Sequence, residues 1–167
     1  MRIVVPNSCL VILCGPAACG KSTFARRNFP ATAVVSSDHC RAMIADDERD
    51  LRVSPDAFAL FHQIIDLRLR YGRLAVADST ALHPAARRAL RRIARRRQRP
   101  VVMIVFNVSE ETCRLWDGRR ERQVGAAVIH RQWQMLQEAL ARIPGEGYDQ
   151  VVVLGEDEVG RAQVEVG

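Results

Sequence analysis

The sequence predicts an α/β layered domain, a five-stranded parallel sheet flanked by helices. Three observations predict it. Five short apolar runs recur along 167 residues, four of them without the polar alternation of half-exposed strands, as strands covered on both faces require. Helical patterns fill the gaps between them, so successive strands pair in parallel through right-handed crossovers. The first run leads straight into a glycine-rich loop and then a helical pattern.

The runs are LVILC (10–14), AVV (33–35), LAVA (74–77), VVMIVF (101–106) and VVVL (151–154). The N-terminal stretch before the loop has no small-residue cleavage site and reads as a first strand rather than a signal peptide. After a Ser54-Pro55 start, Ala57, Phe61, Ile64, Leu67 and Tyr71 share one helical face. Ile129, Trp133, Leu136, Leu140 and Ile143 form a second stripe that stops before Pro144-Gly145. No linker, repeat or low-complexity tract interrupts the chain, which reads as one domain over residues 1–167.

Composition bounds the function class. Hydrophobic residues make up 48% and charged residues 26%, ordinary for a globular protein, and no apolar run nears the roughly 20 residues that span a bilayer. No membrane association is expected. The formal net charge of +6 favours an anionic partner. Cys9, Cys14, Cys19, Cys40 and Cys113 follow no zinc or disulfide spacing, which fits small buried residues in a reducing cytoplasm. Cys19 lies inside the glycine loop, where helix amides and a lysine would lower its pKa and expose the site to oxidation.

Residues 15–23, GPAACGKST, hold the chain's only lysine among 25 basic residues. A compact ammonium is needed there, and a planar guanidinium would not serve. Strand, Gly15, four residues, Gly20-Lys21-Ser22, then helix is the context of a phosphate-binding P-loop. Gly15, Pro16, Ala17, Ala18, Cys19, Gly20, Lys21, Ser22 and Thr23 form the cradle region, where backbone N–H groups (Pro16 has none) curl around phosphates and the helix dipole adds positive charge. Lys21 bridges β- and γ-phosphates, and the Ser22 hydroxyl is the expected Mg²⁺ ligand. ATP or another nucleoside triphosphate, with Mg²⁺, is therefore the expected cofactor.

In VVSSDHCRAMI (34–44), Asp38 falls just past the second strand, at the sheet edge where such folds bind ligands. Arg41 lies one helical turn on. The carboxylate suits a general base for an attacking hydroxyl, and the arginine suits the acceptor or the transferring phosphoryl; Asp38 also suits a helix N-cap. Asp78, ending the third strand, is either a carboxylate orienting Mg²⁺ or a strand-end cap. Arg119, Arg120 and Arg122 in DGRRERQVG form a cationic segment where P-loop kinases carry a lid. Arg88, Arg92, Arg95 and Arg99 line one face of RRALRRIARRRQR (87–99), with Leu90, Ile93 and Ala94 towards the sheet. That face is either a solvated surface or a track for a nucleic-acid backbone.

The segments IVVPNSCLVILCGPAACGKSTFAR, SSDHCRAMIADDE, LAVADSTALHPAAR and GRRERQVGAAVIHRQWQML resemble the 5′-hydroxyl polynucleotide kinase module of bacterial end-healing polynucleotide kinase-phosphatases, and less closely the phage polynucleotide kinases. The likeness spans essentially the whole chain, and its Ser-Ser-Asp-x-x-Arg and RxxRQV segments are more specific than the P-loop. It implies a P-loop kinase fold with an arginine lid at about 114–128. It implies Lys21 and Ser22 as phosphate and metal residues, Asp38 as general base and Arg41 as the acceptor-side arginine. Arg119 and Arg122 match the lid arginines that meet the nucleotide, with Gln123 and Val128 on the side where the polynucleotide end enters. Cys19 replaces the usual serine or glycine, and Ala81 stands where the third-strand motif more often has asparagine. The family's phosphatase and ligase modules are absent, so the kinase stands free or is a domain of a longer chain.

The resulting expectation is γ-phosphate transfer from ATP to the 5′-OH end of RNA or DNA, in end healing or repair. A small-molecule P-loop kinase acting on a nucleoside, sugar or metabolite is the alternative. A nucleotide-hydrolysing switch or binding module is the second, and it leaves the Asp38–Arg41 pair without a task.

Overall fold

Strand β2 (Leu10–Cys14) is buried along its whole length, which is why its sequence shows no alternation. Its side chains nevertheless point alternately to two cores. Leu10, Ile12 and Cys14 face one side, with Phe61, Leu90 and Leu136. Val11 and Leu13 face the other, with Phe24 and Cys113. Each fully buried Leu or Ile contributes about 1.5–3 kcal/mol of transfer free energy.

The computed structural model describes all 167 residues. Before β2 runs β1 (Arg2–Val5); after it come α1 (Lys21–Asn28), β3 (Val34–Ser36), α2 (Ser37–Ala45), α3 (Ser54–Arg70), β4 (Ala75–Asp78) and α4 (Pro84–Arg96). The chain continues through β5 (Val101–Asn107), α5 (Glu110–Gly118), α6 (Ala126–Arg142), β6 (Gln150–Gly155), α7 (Glu156–Val159) and β7 (Gln163–Val166). Five strands form one sheet in the order β3-β4-β2-β5-β6, all neighbours parallel. The α/β prediction holds, and each of the five apolar runs is a strand to within a residue at either end.

The N-terminal stretch departs from the expected single strand. Pro6 lacks a ladder N–H, and Ser8 adopts φ 65°, so the chain breaks between β1 and β2. Strand β1 instead pairs in parallel with β7 as a separate two-stranded sheet. Helix α3 buries Ala57, Phe61, Ile65 and Leu69, whereas the sequence pointed to Ile64, Leu67 and Tyr71. Ile64 and Ile65 are adjacent, so periodicity alone left the stripe free to rotate by about 100° per residue. Tyr71 caps the helix end and is 73% exposed.

On α4, Leu90, Ile93 and Ala94 are buried as expected, and Arg87 is buried with them. Arg88, Arg92 and Arg95 are exposed. Arg99 does not share their face: it lies past the helix end, half-buried, its Nε donating to Leu69 O at 3.1 Å. No helix is long and apolar enough to cross a membrane.

Candidate active site

The register of the sheet gathers the site. Leu13 lies abreast of Asp78, and Asp78 abreast of Ser36. The carboxyl ends of β2, β4 and β3 therefore present the P-loop, Asp78 and Asp38 side by side, where ligands of open parallel sheets bind.

Two glycines make the loop possible. A Cβ on Gly15 would meet Cys19 Sγ at 2.8 Å and Phe106 Cβ at 3.0 Å. Gly20 holds φ 93° as the N-cap of α1, a left-handed conformation that favours glycine. Gly15 N donates to Thr80 O at 3.0 Å, tying the loop to the β4–α4 connection. Lys21 Nζ donates to Gly15 O at 2.8 Å and Pro16 O at 2.6 Å, so the ammonium folds back into the cradle and is only 8% exposed. No buried side-chain nitrogen or oxygen lacks a partner.

Cys19 corrects an expectation. Its side chain packs inward against the α1-side core and is fully buried. Burial pushes the thiol's pKa up, outweighing the pull of the Lys21 ammonium 3.5 Å away. The lysine does act on it, as predicted, but desolvation of a thiolate is the larger effect. The protonated thiol is a packing group rather than a redox sensor.

Ser22 Oγ donates to Asp78 Oδ2 at 2.8 Å, which favours the metal-side reading of Asp78 over a helix cap. Asp78 is 7% exposed. Burial pushes its carboxyl up, against the pull of Lys21 and Ser22, while the Asp38 charge pushes the same way. A hydroxyl and one carboxylate, both oxygen donors, fit Mg²⁺, which binds through one or two protein oxygens and completes its shell with waters and phosphates.

Helix α2 is capped by Ser36, whose Oγ accepts from His39 N at 3.2 Å. Asp38 is thereby released from capping. Its Oδ1 accepts from Arg41 Nη1 at 2.5 Å, and its Oδ2 from Arg122 Nη1 at 3.4 Å. Arg41 is itself fixed: Nε donates to Ser54 Oγ at 3.2 Å, and the guanidinium sits 5.8 Å from the centroid of the Phe58 ring. Arg122 also bonds Glu48 Oε1 at 3.1 Å. The lid arginine, 84 residues on in sequence, thus reaches across to Asp38.

Residues 114–128, expected as a lid, comprise the end of α5, a tight turn and the start of α6. Asp117, 4% exposed, accepts from Val124 N at 3.1 Å and Gly125 N at 3.0 Å, and pairs with Arg120 at 3.7 Å. Gln123 bonds only the turn itself, Nε2 to Gly118 O at 3.1 Å. Arg119 and Thr23 are exposed, and Val128 is half-buried at the start of α6. Of the predicted residues, the structure brings together the P-loop with Asp78, and Asp38 with Arg41 and Arg122. Arg119, Gln123 and Val128 ride on the lid without touching Asp38.

Several contributors were not legible beforehand. Ser54 and Phe58 carry no site motif, and Glu48 only closes the SSDHCRAMIADDE segment. Ala81, the departure from asparagine, holds φ 49°, a left-handed conformation costly for alanine. Arg87 Nη1 pins that backbone by donating to Ala81 O at 3.0 Å and Leu82 O at 2.9 Å. Its other nitrogens grip Glu146 in a fork, at 2.8 and 3.0 Å.

Known structures share this architecture. A chain of the Pnkp1/Rnl/Hen1 RNA repair complex superposes with a TM-score of 0.66 at 22% identity, over 80% of this chain and 45% of that one. A gluconokinase from Sinorhizobium meliloti gives 0.59 at 16% identity, covering 94% of this chain and 90% of that one. The Mycobacterium tuberculosis APS kinase CysC, in complex with AMPPNP and APS, gives 0.55 at 13% identity over 93% and 95% of the two chains. No curated protein matches the chain in sequence. Residues 10–143 match the AAA domain family. They run from the first residue of β2 through α6 and so take in the P-loop, Asp38, Asp78 and the lid. With its five-stranded parallel sheet and kinase-like P-loop site, the chain belongs to that AAA domain family.

Proposed function

We propose that this protein transfers the γ-phosphate of ATP to the 5′-hydroxyl end of an RNA or DNA strand. The observation that carries the reading is the carboxylate of Asp38, held between Arg41 on its own helix and Arg122 from the lid. It stands at the sheet edge beside the P-loop, free of any capping duty. A phosphotransferase needs a proton acceptor facing the donor phosphate, flanked by cations that hold the acceptor and the transferring group. Asp38 takes the proton of the attacking hydroxyl, and Arg41 holds the acceptor side. Lys21, Arg119 and Arg122 spread the charge of a loose, in-line transition state. Ser22 and Asp78 are the residues that would hold Mg²⁺, which supplies charge neutralisation at the phosphates.

The acceptor class rests on the Ser-Ser-Asp-x-x-Arg and RxxRQV segments and on the basic balance of the chain. A place beside phosphatase and ligase modules in end repair follows from the same resemblance, and a cytoplasmic setting from cysteines that follow no disulfide spacing. A small-molecule acceptor is the second reading. It is favoured by near end-to-end superposition on the gluconokinase and the APS kinase, of which this chain covers 90% and 95%.

Labelled γ-phosphate transfer onto matched RNA and DNA oligonucleotides with 5′-OH ends, against nucleosides and 3′-mononucleotides, tests the proposal. Transfer to the oligonucleotides is expected. Transfer to the small acceptors alone would establish the second reading, and hydrolysis unstimulated by any acceptor would point to a switch. If the polynucleotide continues along α4, replacing Arg88, Arg92 and Arg95 with glutamine lowers the salt-dependence slope of oligonucleotide binding by about 2, at roughly 0.7 per phosphate contact on a single strand. An unchanged slope assigns that stripe to a solvated face.

A further inference from the structure

One hydrogen bond joins the P-loop to helix α6. Ala17 N donates to Gln132 Oε1 at 2.7 Å, across 115 residues of sequence. Gln132 stands on α6, four residues after Val128 and so on the same helical face, and α6 begins where the lid ends. The bond therefore ties the loop's tip to the element that carries the lid.

The orientation of the Gln132 amide follows from chemistry. A backbone N–H can be met only by an acceptor, so Oε1 must face Ala17 and Nε2 must face away. Nε2 bonds nothing in the chain, and since no buried side-chain nitrogen is unpartnered, it keeps some exposure to solvent. Of the other side chains at the loop, Lys21 is turned onto Gly15 O and Pro16 O, and Ser22 onto Asp78. Gln132 presents its amide NH2 beside a loop whose backbone amides are built to receive phosphate oxygens.

We infer that Gln132 is a specificity-determining residue that distinguishes a nucleoside triphosphate from a diphosphate: Oε1 holds the loop tip while Nε2 donates to an oxygen of the terminal phosphate. The inference rests on the nucleotide-binding reading of the P-loop but not on the identity of the acceptor. Its consequence is that α6, and the lid ahead of it, registers whether the transferable phosphate is present.

Glutamate separates this role from a structural staple. A carboxylate of the same length still accepts from Ala17 N, so a staple survives Gln132→Glu, whereas a phosphate ligand becomes a repelling charge. The experiment measures, by calorimetry on the full chain with Mg²⁺, the affinities of ADP and of a non-hydrolysable ATP analogue for wild type, Q132E and Q132L, together with their melting temperatures. A hydrogen bond to a charged group is worth about 1.5–3 kcal/mol, so Q132E is expected to weaken the analogue by about tenfold or more. ADP affinity and the melting temperature of Q132E stay near wild type. Q132L, which carries no charge, also narrows the gap between analogue and ADP. Wild-type affinities in Q132E, or equal weakening of ADP and analogue, would overturn the inference. A wild type that discriminates the two nucleotides through Gln132 yet phosphorylates no 5′-OH end would instead overturn the acceptor assignment alone.

Discussion

Asp38→Ala is expected to lower phosphoryl transfer by about 10²–10⁴-fold, the usual contribution of a positioned general base, while nucleotide binding survives. The separation follows from where the carboxylate sits. The cradle closes on itself, Lys21 onto Gly15 and Pro16, Ser22 onto Asp78, and none of these bonds involves Asp38. Losing Asp38 releases Arg41 and Arg122 instead. Arg41 keeps Ser54 and the Phe58 face, and Arg122 keeps Glu48, so the fold is little disturbed. Asp38→Asn sharpens the comparison, since its single amide oxygen still accepts from Arg41 but takes no proton, and the bond to Arg122 is given up. Single-turnover transfer to a 5′-OH oligonucleotide, with nucleotide affinity measured alongside, checks both variants. Robust transfer by either removes the base assignment.

The second large effect is on stability. Arg87 is fully buried, and its fork onto Glu146 is its only ion pair. Removing the carboxylate with Glu146→Ala strands a buried cation, which costs about 3–5 kcal/mol when a buried pair is broken from one side. The damage extends to the site, because Arg87 also pins Ala81 and Leu82, next to the Thr80 carbonyl that accepts from Gly15 N. Urea unfolding measures the loss; a change below about 1 kcal/mol, the scale of an exposed pair, would show that the pair is not needed. Arg87→Met, which removes the cation and fills its volume, should be milder than Glu146→Ala, since the carboxylate left behind keeps Arg91 at 3.5 Å and the Tyr148 hydroxyl at 2.9 Å.

The same pair sets a pH dependence. Burial alone would raise the Glu146 carboxyl, but its hydrogen bonds from Arg87 and the Tyr148 hydroxyl hold it below its ordinary value. A carboxyl lowered in the folded state stabilises the protein fully above its unfolded pKa of about 4.3. That contribution is lost as pH falls through the lower folded value. Acid unfolding followed by circular dichroism should therefore show a component below about pH 4.3 that Glu146→Gln removes.

The strands and the P-loop were legible because each is written within one stretch of chain. A buried strand shows as an apolar run, and a phosphate loop as glycines at fixed spacing before a helix. The Asp38–Arg41 pair belongs to the same class, since one helical turn fixes its separation wherever the helix goes. The arginine-bearing turn could be placed by its position between two helical stretches. Side-chain direction was less accessible. Cys19 could face the phosphates or the core, and only the packing of α1 against the sheet turned it inward and raised its pKa. In α3, adjacent isoleucines left the buried stripe open until the neighbouring helices chose Ile65.

By itself, then, the sequence determined the layered α/β sheet, the cradle with its single lysine, and a carboxylate and arginines in reach of it, because short-range spacing dictates local geometry. The tertiary structure alone decided which distant groups meet: Arg122 with Asp38, Ser22 with Asp78, Arg87 with Glu146 and Gln132 with Ala17. Those partners lie 56 to 115 residues apart, and a contact between elements leaves no period in either one. It exists only once strand order and register have set the elements side by side.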